Sequence, residues 1–246
     1  MAVMSTVMAM KKGTQALFMN LADLSLVRLL QLASPMLPVG AYSYSQGLEW
    51  AVDQRIVHDR DSARTWIGDV LQFNVARFEA PLLLRLYRAW ESQDFAQVAH
   101  WNEVFCVSRE AAELRAETEQ MGYSMRRLMQ EMGGFDGARH LALQQLEPLG
   151  FPTAFSCAAV SWSIPAEAMV SAYLWSWTEN QVSAAMKTIP VGQVAGQQIL
   201  ADLASQLPRL VGAAMALADE EISNYGPMFA IACSQHETQY SRLFRS

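Results

Sequence analysis

Apolar residues recur along most of the chain at intervals of three and four positions, which is the spacing of one face of an α-helix. The segments between turns are rich in Ala, Leu, Met, Gln, Glu and Arg, all of them good helix formers. No stretch alternates apolar and polar residues in the manner of a strand for more than a few positions. Internal repeats and linker-like segments are missing. The pattern therefore predicts a single all-α domain, a bundle of roughly ten helices.

The first helix is predicted over residues 24–33, and it ends before Pro35 because the residue preceding a proline is disfavoured in the helical region. A short helix over residues 46–54 is expected next, with Ser43 or Ser45 as its cap. The face of the first helix that is predicted to be buried consists of Leu26, Leu29, Leu30 and Ala33.

Prolines mark the predicted boundaries of several of the remaining helices. Pro81 is expected to open a new helix, since proline suits the first helical turn, and another helix is expected between Pro165 and Pro190. The other predicted helices cover residues 61–78, 95–132, 139–149, 153–162 and 191–223, the last with a break near Pro208. In the helix over residues 61–78, the positions predicted to face inward are Trp66, Val70, Phe73 and Arg77. In the helix over residues 95–132, they are Val98, Trp101, Phe105 and Ala112. A solvated face is predicted for Arg109, Glu113, Arg115 and Glu119.

Composition narrows the class of protein. The 246 residues are 52% hydrophobic and only 17% charged, which excludes a disordered chain. No apolar run reaches the roughly 18 residues that a membrane span requires. The net charge of −6 argues against nucleic-acid binding, which needs a basic surface. Arginine outnumbers lysine by 15 to three, and Lys187 is the only lysine outside the N-terminal segment.

Cys106, Cys157 and Cys233 are an odd number of widely spaced cysteines, so they are expected to be buried thiols in a reducing cytoplasm. Residues 1–22 lack the ordered regions of a signal peptide and are interpreted as a flexible extension that precedes a helical domain over residues 23–246.

Motifs of catalysis and metal binding are not found. The sequence has no nucleophile elbow, no phosphate-binding glycine loop and no pair of histidines at metal-ligand spacing. His236-Glu237 resembles the start of a zincin motif, but the position that should carry the second histidine is Tyr240. Each histidine is therefore interpreted as a surface or capping residue.

Three segments are difficult to explain by core packing. The first is LPVGAYSYSQGLE at residues 37–49, where two tyrosines alternate with two serines. The second carries Glu179, Ser183 and Lys187 four residues apart, so that they form a polar stripe on one helix. The third is the tail HETQYSRLFRS at residues 236–246. Its aromatic and arginine side chains are of the kind enriched at protein interfaces, so the tail is expected to become ordered on a partner.

These segments together resemble the urease accessory protein F family of bacterial nickel-urease maturation factors. The resemblance covers residues 24–246, and it is carried by the three motifs in this order, the second being ENQVSAAMK at residues 179–187 followed by PVGQ at 190–193. Arg109-Glu110 and Leu114-Arg115 also fit the pattern of the family.

The resemblance implies an all-helical and dimeric protein without catalytic chemistry of its own. Such a protein binds the D/H-type urease accessory protein, and together they recruit a nickel-carrying GTPase to apo-urease. Nickel insertion and carbamylation of the urease lysine follow, coupled to GTP hydrolysis. No cofactor is bound stably, because nickel is the cargo, and no contact with nucleic acid or membrane is implied.

The resemblance also assigns residues to partners. The surface facing the GTPase would contain Glu179, Ser183 and Lys187. The surface facing the D/H-type protein would contain Tyr42, Ser43, Tyr44, His236, Glu237, Tyr240, Arg242, Leu243, Phe244 and Arg245.

Two other functions stay open at this point. A GTPase-activating protein would place an arginine finger in the active site of the GTPase, although no arginine here stands out. A helical enzyme or metal carrier would use His58, Cys233 and His236, which are weak candidates.

Overall fold

The computed structural model describes residues 24–133 and 135–246. The predicted N-terminal extension therefore lies outside the described residues. Within them, the chain is an all-α single domain without any β-strand. Its helices are α1 (24–33), α2 (Leu48–Asp53), α3 (Arg60–Val70), α4 (Ala80–Glu91), α5 (Phe95–Val107), α6 (Ala112–Met132), α7 (Gly137–Gln145), α8 (Phe151–Ser161), α9 (Ala166–Thr188), α10 (Gln193–Ala204), α11 (Leu207–Ala216) and α12 (Pro227–His236).

The centre of the fold is α9, which packs against α2, α4, α10 and α11, while α8 packs between α4 and α6. Small side chains allow α8 to approach its neighbours closely, since Ala154, Ala158 and Ala159 are completely buried. The indole of Trp90 on α4 donates to the carbonyl of Thr153 at 3.0 Å. Because α9 is packed on several sides, the core fixes the position of the polar stripe that this helix carries.

Pro81 lies in the first turn of α4, as predicted, but the chain does not leave the helical path before it. A π-helical segment, Leu71–Glu79, joins α3 to α4, and the N–H of Ala80 donates five residues back to the carbonyl of Val75. The wider π turn makes room for a proline ring that would clash inside a continuous α-helix. It also rotates the register, so Phe73 and Arg77 lie on the surface instead of the predicted buried face.

The predicted helix over residues 95–132 is two helices. Residues 108–111 leave the helical path, and Ala111 has an extended backbone before α6 begins. As a result Arg109 is buried, which corrects its assignment to a solvated face, and Ala112 is exposed instead of inward. Charge spacing along one helix does not predict side-chain positions across a break.

Two smaller predictions are also wrong. Of the predicted buried face of α1, Leu26 and Leu30 are exposed, whereas Leu32 is buried. The cap of α2 is Gly47 and neither of the two serines, because Gln46 and Gly47 both have positive φ and delay the start of the helix to Leu48. A side chain at Gly47 would lie 2.9 Å from the Cβ of Ala232, so this turn needs glycine for space as well.

The contact between α6 and the loop before α8 provides a test of this packing. A Cβ added at Gly122 would lie 2.2 Å from the carbonyl oxygen of Leu149, a backbone atom that cannot move alone. We expect Gly122→Ala to lower the free energy of unfolding by about 2 kcal/mol or more, measured by urea denaturation. The control is Gly212→Ala on α11, which meets open space and should be neutral or stabilising by roughly 0.5–1 kcal/mol. Equal stabilities of the two variants would contradict the close packing of α6.

Candidate interaction site

The C-terminal tail, residues 237–246, folds back onto the turn before α2. The carbonyl oxygen of Ser246 accepts hydrogen bonds from the backbone N–H groups of Ser45 at 2.6 Å and Gln46 at 3.0 Å. The hydroxyl of Ser45 donates to the same oxygen at 2.5 Å. One residue earlier, the N–H of Arg245 donates to the carbonyl of Ser43 at 2.9 Å. The tail is therefore ordered on its own chain, which differs from the expectation that only a partner would order it.

Two carboxylates hold the middle of the tail. Glu49 on α2 accepts from the N–H groups of Leu243 at 2.6 Å and Phe244 at 3.0 Å. Glu113 on α6 accepts from the guanidinium of Arg242 at 2.5 Å. The completely buried ring of His236 lies between them, 3.2 Å from Glu49 and 2.6 Å from Glu113. Each ring nitrogen of His236 therefore has a carboxylate oxygen within hydrogen-bond distance.

A third carboxylate connects the tail to α9. Glu117 accepts from the amide of Gln46 at 2.7 Å and from the hydroxyl of Ser246 at 2.9 Å. The carbonyl oxygen of the same Gln46 side chain accepts from the indole of Trp177 at 2.7 Å. Burial raises the pKa of Glu117 to about 7, because the charged form loses its hydration. The tail and α9 thus share one hydrogen-bonded chain.

Beneath this chain lies a buried ion pair. Arg109 donates to Glu79 at 2.9 Å, and the hydroxyl of Tyr173 donates to the other oxygen of Glu79 at 2.6 Å. Burial raises the pKa of Tyr173 well above its ordinary value, which keeps the phenol protonated as a donor. The pair joins the π segment, the α5–α6 junction and α9 into one polar core.

The predicted stripe on α9 borders the tail. Ser183 is half-buried, and Lys187 is exposed. Glu179 is half-buried as well, and desolvation raises the pKa of its carboxyl group. The ammonium of Lys187 lies 5.5 Å from the ring centroid of Phe244, within the range of a cation–π contact. The stripe and the tail, which are two separate motifs in the sequence, therefore meet where Lys187 contacts Phe244.

The other residues predicted for the D/H-type partner divide into a buried and an exposed group. Phe244 is only 6% exposed, so it is satisfied within the chain instead of being left for a partner. Glu237 accepts from the N–H of Ala112 at 2.6 Å, at the start of α6. The buried residues are Tyr44, His236 and Phe244, and the exposed residues are Tyr42, Tyr240, Arg242, Leu243 and Arg245. Ser43 is half-buried and acts through its carbonyl.

Sequence reasoning missed the residues that receive the tail. Glu49, Glu113 and Glu117 lie on helices far from it in sequence, and Glu113 was assigned to a solvated face. The available signal was the concentration of His236, Arg242 and Arg245 in a short segment, which calls for anionic partners elsewhere in the chain.

The candidate metal ligands are not brought together. Cys233 and His236 are buried, whereas His58 is exposed beside Asp59. Across the part of the chain that the structure describes, no group of three or more His, Cys, Asp or Glu side chains is arranged to hold a metal ion. The prediction of buried, unpaired cysteines is confirmed, because all three thiols are free and buried.

In its described residues the protein is all-helical, and its distinctive polar residues link the C-terminal tail to α2, α6 and α9. A family model described as UreF matches residues 57–204. Urease accessory protein UreF of Azoarcus sp. (strain BH72) is 57% identical over 225 residues, covering 91% of this chain and 96% of the relative. Urease accessory protein UreF of Methylobacillus flagellatus is 53% identical over 222 residues, covering 90% and 98%. The chain belongs to the UreF family of urease accessory proteins.

A third relative has a different organisation. The Bifunctional urease accessory protein UreEF of Bordetella bronchiseptica is 44% identical over 243 residues, covering 98% of this chain but 56% of the relative. The similarity to this chain is therefore confined to about half of that protein. In residues 24–133 and 135–246, no helix is both long and apolar enough to cross a bilayer.

The raised pKa of Glu117 predicts a pH dependence of stability. The folded chain holds this proton up to about pH 7, whereas the unfolded chain releases it near the ordinary value of 4.5. The stabilising contribution of the protonated form is therefore complete below about pH 4.5 and is lost as the pH rises through 7. We expect the free energy of unfolding of the wild type to fall by up to roughly 3 kcal/mol between pH 5 and pH 8 because of Glu117. The variant Glu117→Gln, a neutral isostere, should not show this decrease.

The measurement is urea denaturation at both pH values. Glu110→Gln is the control, because Glu110 is exposed at the α5–α6 junction and should leave the pH dependence as in the wild type. If Glu117→Gln and the wild type lose the same stability between these pH values, Glu117 does not carry the raised pKa.

Proposed function

We propose that this chain is a non-catalytic scaffold that joins the D/H-type urease accessory protein to the nickel-carrying accessory GTPase and delivers the GTPase to apo-urease. Nickel insertion and carbamylation of the urease lysine then follow, with GTP hydrolysis coupled to release of the metal. Nickel is the cargo of the pathway and is not a resident cofactor of this chain. The observation that carries the proposal is the contact of Lys187 on α9 with Phe244 of the tail, which brings the two predicted partner segments together.

The α9 stripe is the proposed GTPase surface. Lys187 is exposed on the helix, and its ammonium lies over the packed ring of Phe244, so its charge is presented in a restricted region. Glu179 and Ser183 continue the stripe toward the centre of α9. The opposite charges of Glu179 and Lys187 on one helix face favour a partner that carries the complementary arrangement of charges. Such matching promotes specificity of binding more than affinity.

The tail is the proposed surface for the D/H-type protein. Its backbone is fixed by Glu49 and by the turn before α2, and this leaves Tyr240 fully exposed and Leu243 64% exposed. An exposed aromatic and an exposed aliphatic side chain on a fixed backbone form an anchor whose ordering cost is already met before binding. The docked tail therefore presents a preorganised surface.

A second copy of the chain is a further proposed partner. α1 exposes Leu24, Leu26, Val27 and Leu30, an apolar row that is costly to leave in water and suits a homodimer interface. The three free thiols suit a reducing cytoplasm, which is the proposed location. The existence of a bifunctional UreEF relative supports work in close association with another accessory protein.

Co-purification with tagged partners tests the scaffold. Lys187→Ala should lower the retained accessory GTPase by about tenfold, because the surface loses its exposed cation. The double variant Tyr240→Ala/Leu243→Ala should lower retention of the D/H-type protein by a similar factor and leave the tail docked, since both side chains point to solvent. Arg88→Ala, at an exposed arginine on α4, is the matched control and should retain both partners.

Two outcomes would contradict the proposal. The first is full retention of the GTPase by Lys187→Ala together with full retention of the D/H-type protein by the double tail variant. The second is faster GTP hydrolysis when this chain is added to the isolated GTPase, which would favour a GTPase-activating protein.

A further inference from the structure

An open groove lies between two walls, one formed by α3 and the π segment and the other by the start of α12. It has a volume of about 780 Å³. The lining residues of the first wall extend from His58 to Asn74, so a rise of roughly 1.5 Å per helical residue makes the groove about 24 Å long. A groove of this length accommodates about four turns of a helix lying along α3.

The lining of the groove is largely apolar, and much of it is exposed. Its buried apolar residues are Trp66, Val70 and Phe229. Four large apolar side chains of the lining are exposed, namely Ile56 at 38%, Phe73 at 48%, Tyr225 at 79% and Met228 at 48%. Exposed apolar side chains that are concentrated around one concave surface are typical of a protein-binding site.

The exposure of Phe73 has a specific cause. The π segment rotates the register after α3 and places this aromatic side chain at the surface, although the helical pattern predicts it to be buried. π turns are rare and occur frequently at functional sites. The chain therefore adopts an uncommon backbone conformation at the point where it presents Phe73 to the groove.

The carboxylates of the groove give it a negative charge. Asp59, Asp61 and Asp69 all line it and are exposed, and none of the described lining residues is arginine or lysine. Hydrogen bonds from Ser62 lower the pKa of Asp59, which keeps this carboxylate charged. Asp61 lies 3.7 Å from Arg60, whereas Asp69 has no ion-pair partner in the part of the chain that the structure describes.

The cations near the groove do not cancel this charge. The guanidinium of Arg60 is shared with Asp202 at 3.8 Å, and the ring of His58, which is charged only when protonated, lies 3.6 Å from Asp59. A groove of this sign favours a basic occupant and disfavours nucleic acid and anionic lipid, because like charges brought together are destabilising.

We propose that this groove binds a helix of a partner protein that is apolar on one face and carries lysine or arginine along its edges. The apolar face packs against Phe73 and Met228. Asp61 and Asp69 are eight residues apart on α3, so they pair with cations separated by about 12 Å along the bound helix. The groove lies at the opposite end of α12 from the tail, and the proposal does not depend on the partners assigned to the tail or to the α9 stripe.

Fluorescence anisotropy of labelled peptides, titrated with the full chain, tests the proposal. The probe is a synthetic helix of about 16 residues, with leucines spaced three and four positions apart and lysines along both edges. A second peptide has glutamate in place of each lysine, and a third contains the residues of the first in an order without helical periodicity. We expect saturable binding of the lysine helix and binding of the other two peptides that is weaker by about tenfold or more.

Two variants test the location. Asp69→Lys reverses an exposed charge of the groove, and Phe73→Ala removes its exposed aromatic side chain, so each should weaken binding of the lysine helix by about tenfold. The matched controls are Glu103→Lys on α5 and Tyr123→Ala on α6. They make the corresponding changes at exposed positions outside the groove and should bind the lysine helix as the wild type does.

Several outcomes would overturn the proposal. One is the absence of saturable binding, and another is equal binding of the lysine and glutamate helices. Equal weakening by Asp69→Lys and Glu103→Lys would show that net charge alone attracts the peptide. Self-association of the chain that competes with the lysine helix would assign the groove to a second copy instead. If Phe73→Ala does not fold, the two charge reversals still decide.

Discussion

The arrangement of the candidate interaction site depends on two poorly hydrated carboxylates, Glu49 and Glu113, being matched by donors from the far end of the chain. A carboxylate removed from water without partners is strongly destabilising, so these helices need a donor set at this position. His236 and the N–H groups of Leu243 and Phe244 supply it. The tail is therefore a structural part of the domain, and its position follows from the requirement to neutralise charges on α2 and α6.

This matching brings the two proposed partner surfaces together. Once the tail is docked, Phe244 lies beneath the ammonium of Lys187, and Glu117 links Ser246 through Gln46 to Trp177 of α9. The backbone of the tail is engaged with its own chain, while Tyr240 and Leu243 remain exposed. A partner that binds these side chains meets a surface that is already ordered. A partner bound to the α9 stripe would lie next to the same tail. The docked tail therefore borders both proposed partner surfaces.

The sequence predicted the elements whose cause is local. The helical class followed from residue spacing, and the α9 stripe followed from positions four residues apart on an uninterrupted helix. Non-local causes could not be read in this way. The carboxylate that receives Phe244 is 195 positions away at Glu49. The burial of Arg109 depends on a break at residues 108–111 and on Glu79 from the π segment. The exposure of Phe73 depends on a π turn that only the three-dimensional structure reveals.

Hydrogen exchange of the backbone amides of Leu243 and Phe244 in the full chain tests the central claim, that carboxylates of the domain hold the tail, most directly. If Glu49 accepts both N–H groups, these amides exchange at least about tenfold more slowly than in an isolated peptide of residues 236–246. Glu49→Gln should remove the protection of at least one of the two amides, because one of the two acceptor oxygens is replaced by an amide donor, while Glu110→Gln should preserve both. Exchange in the wild type at the rate of the isolated peptide, or unchanged protection in Glu49→Gln, would contradict the account.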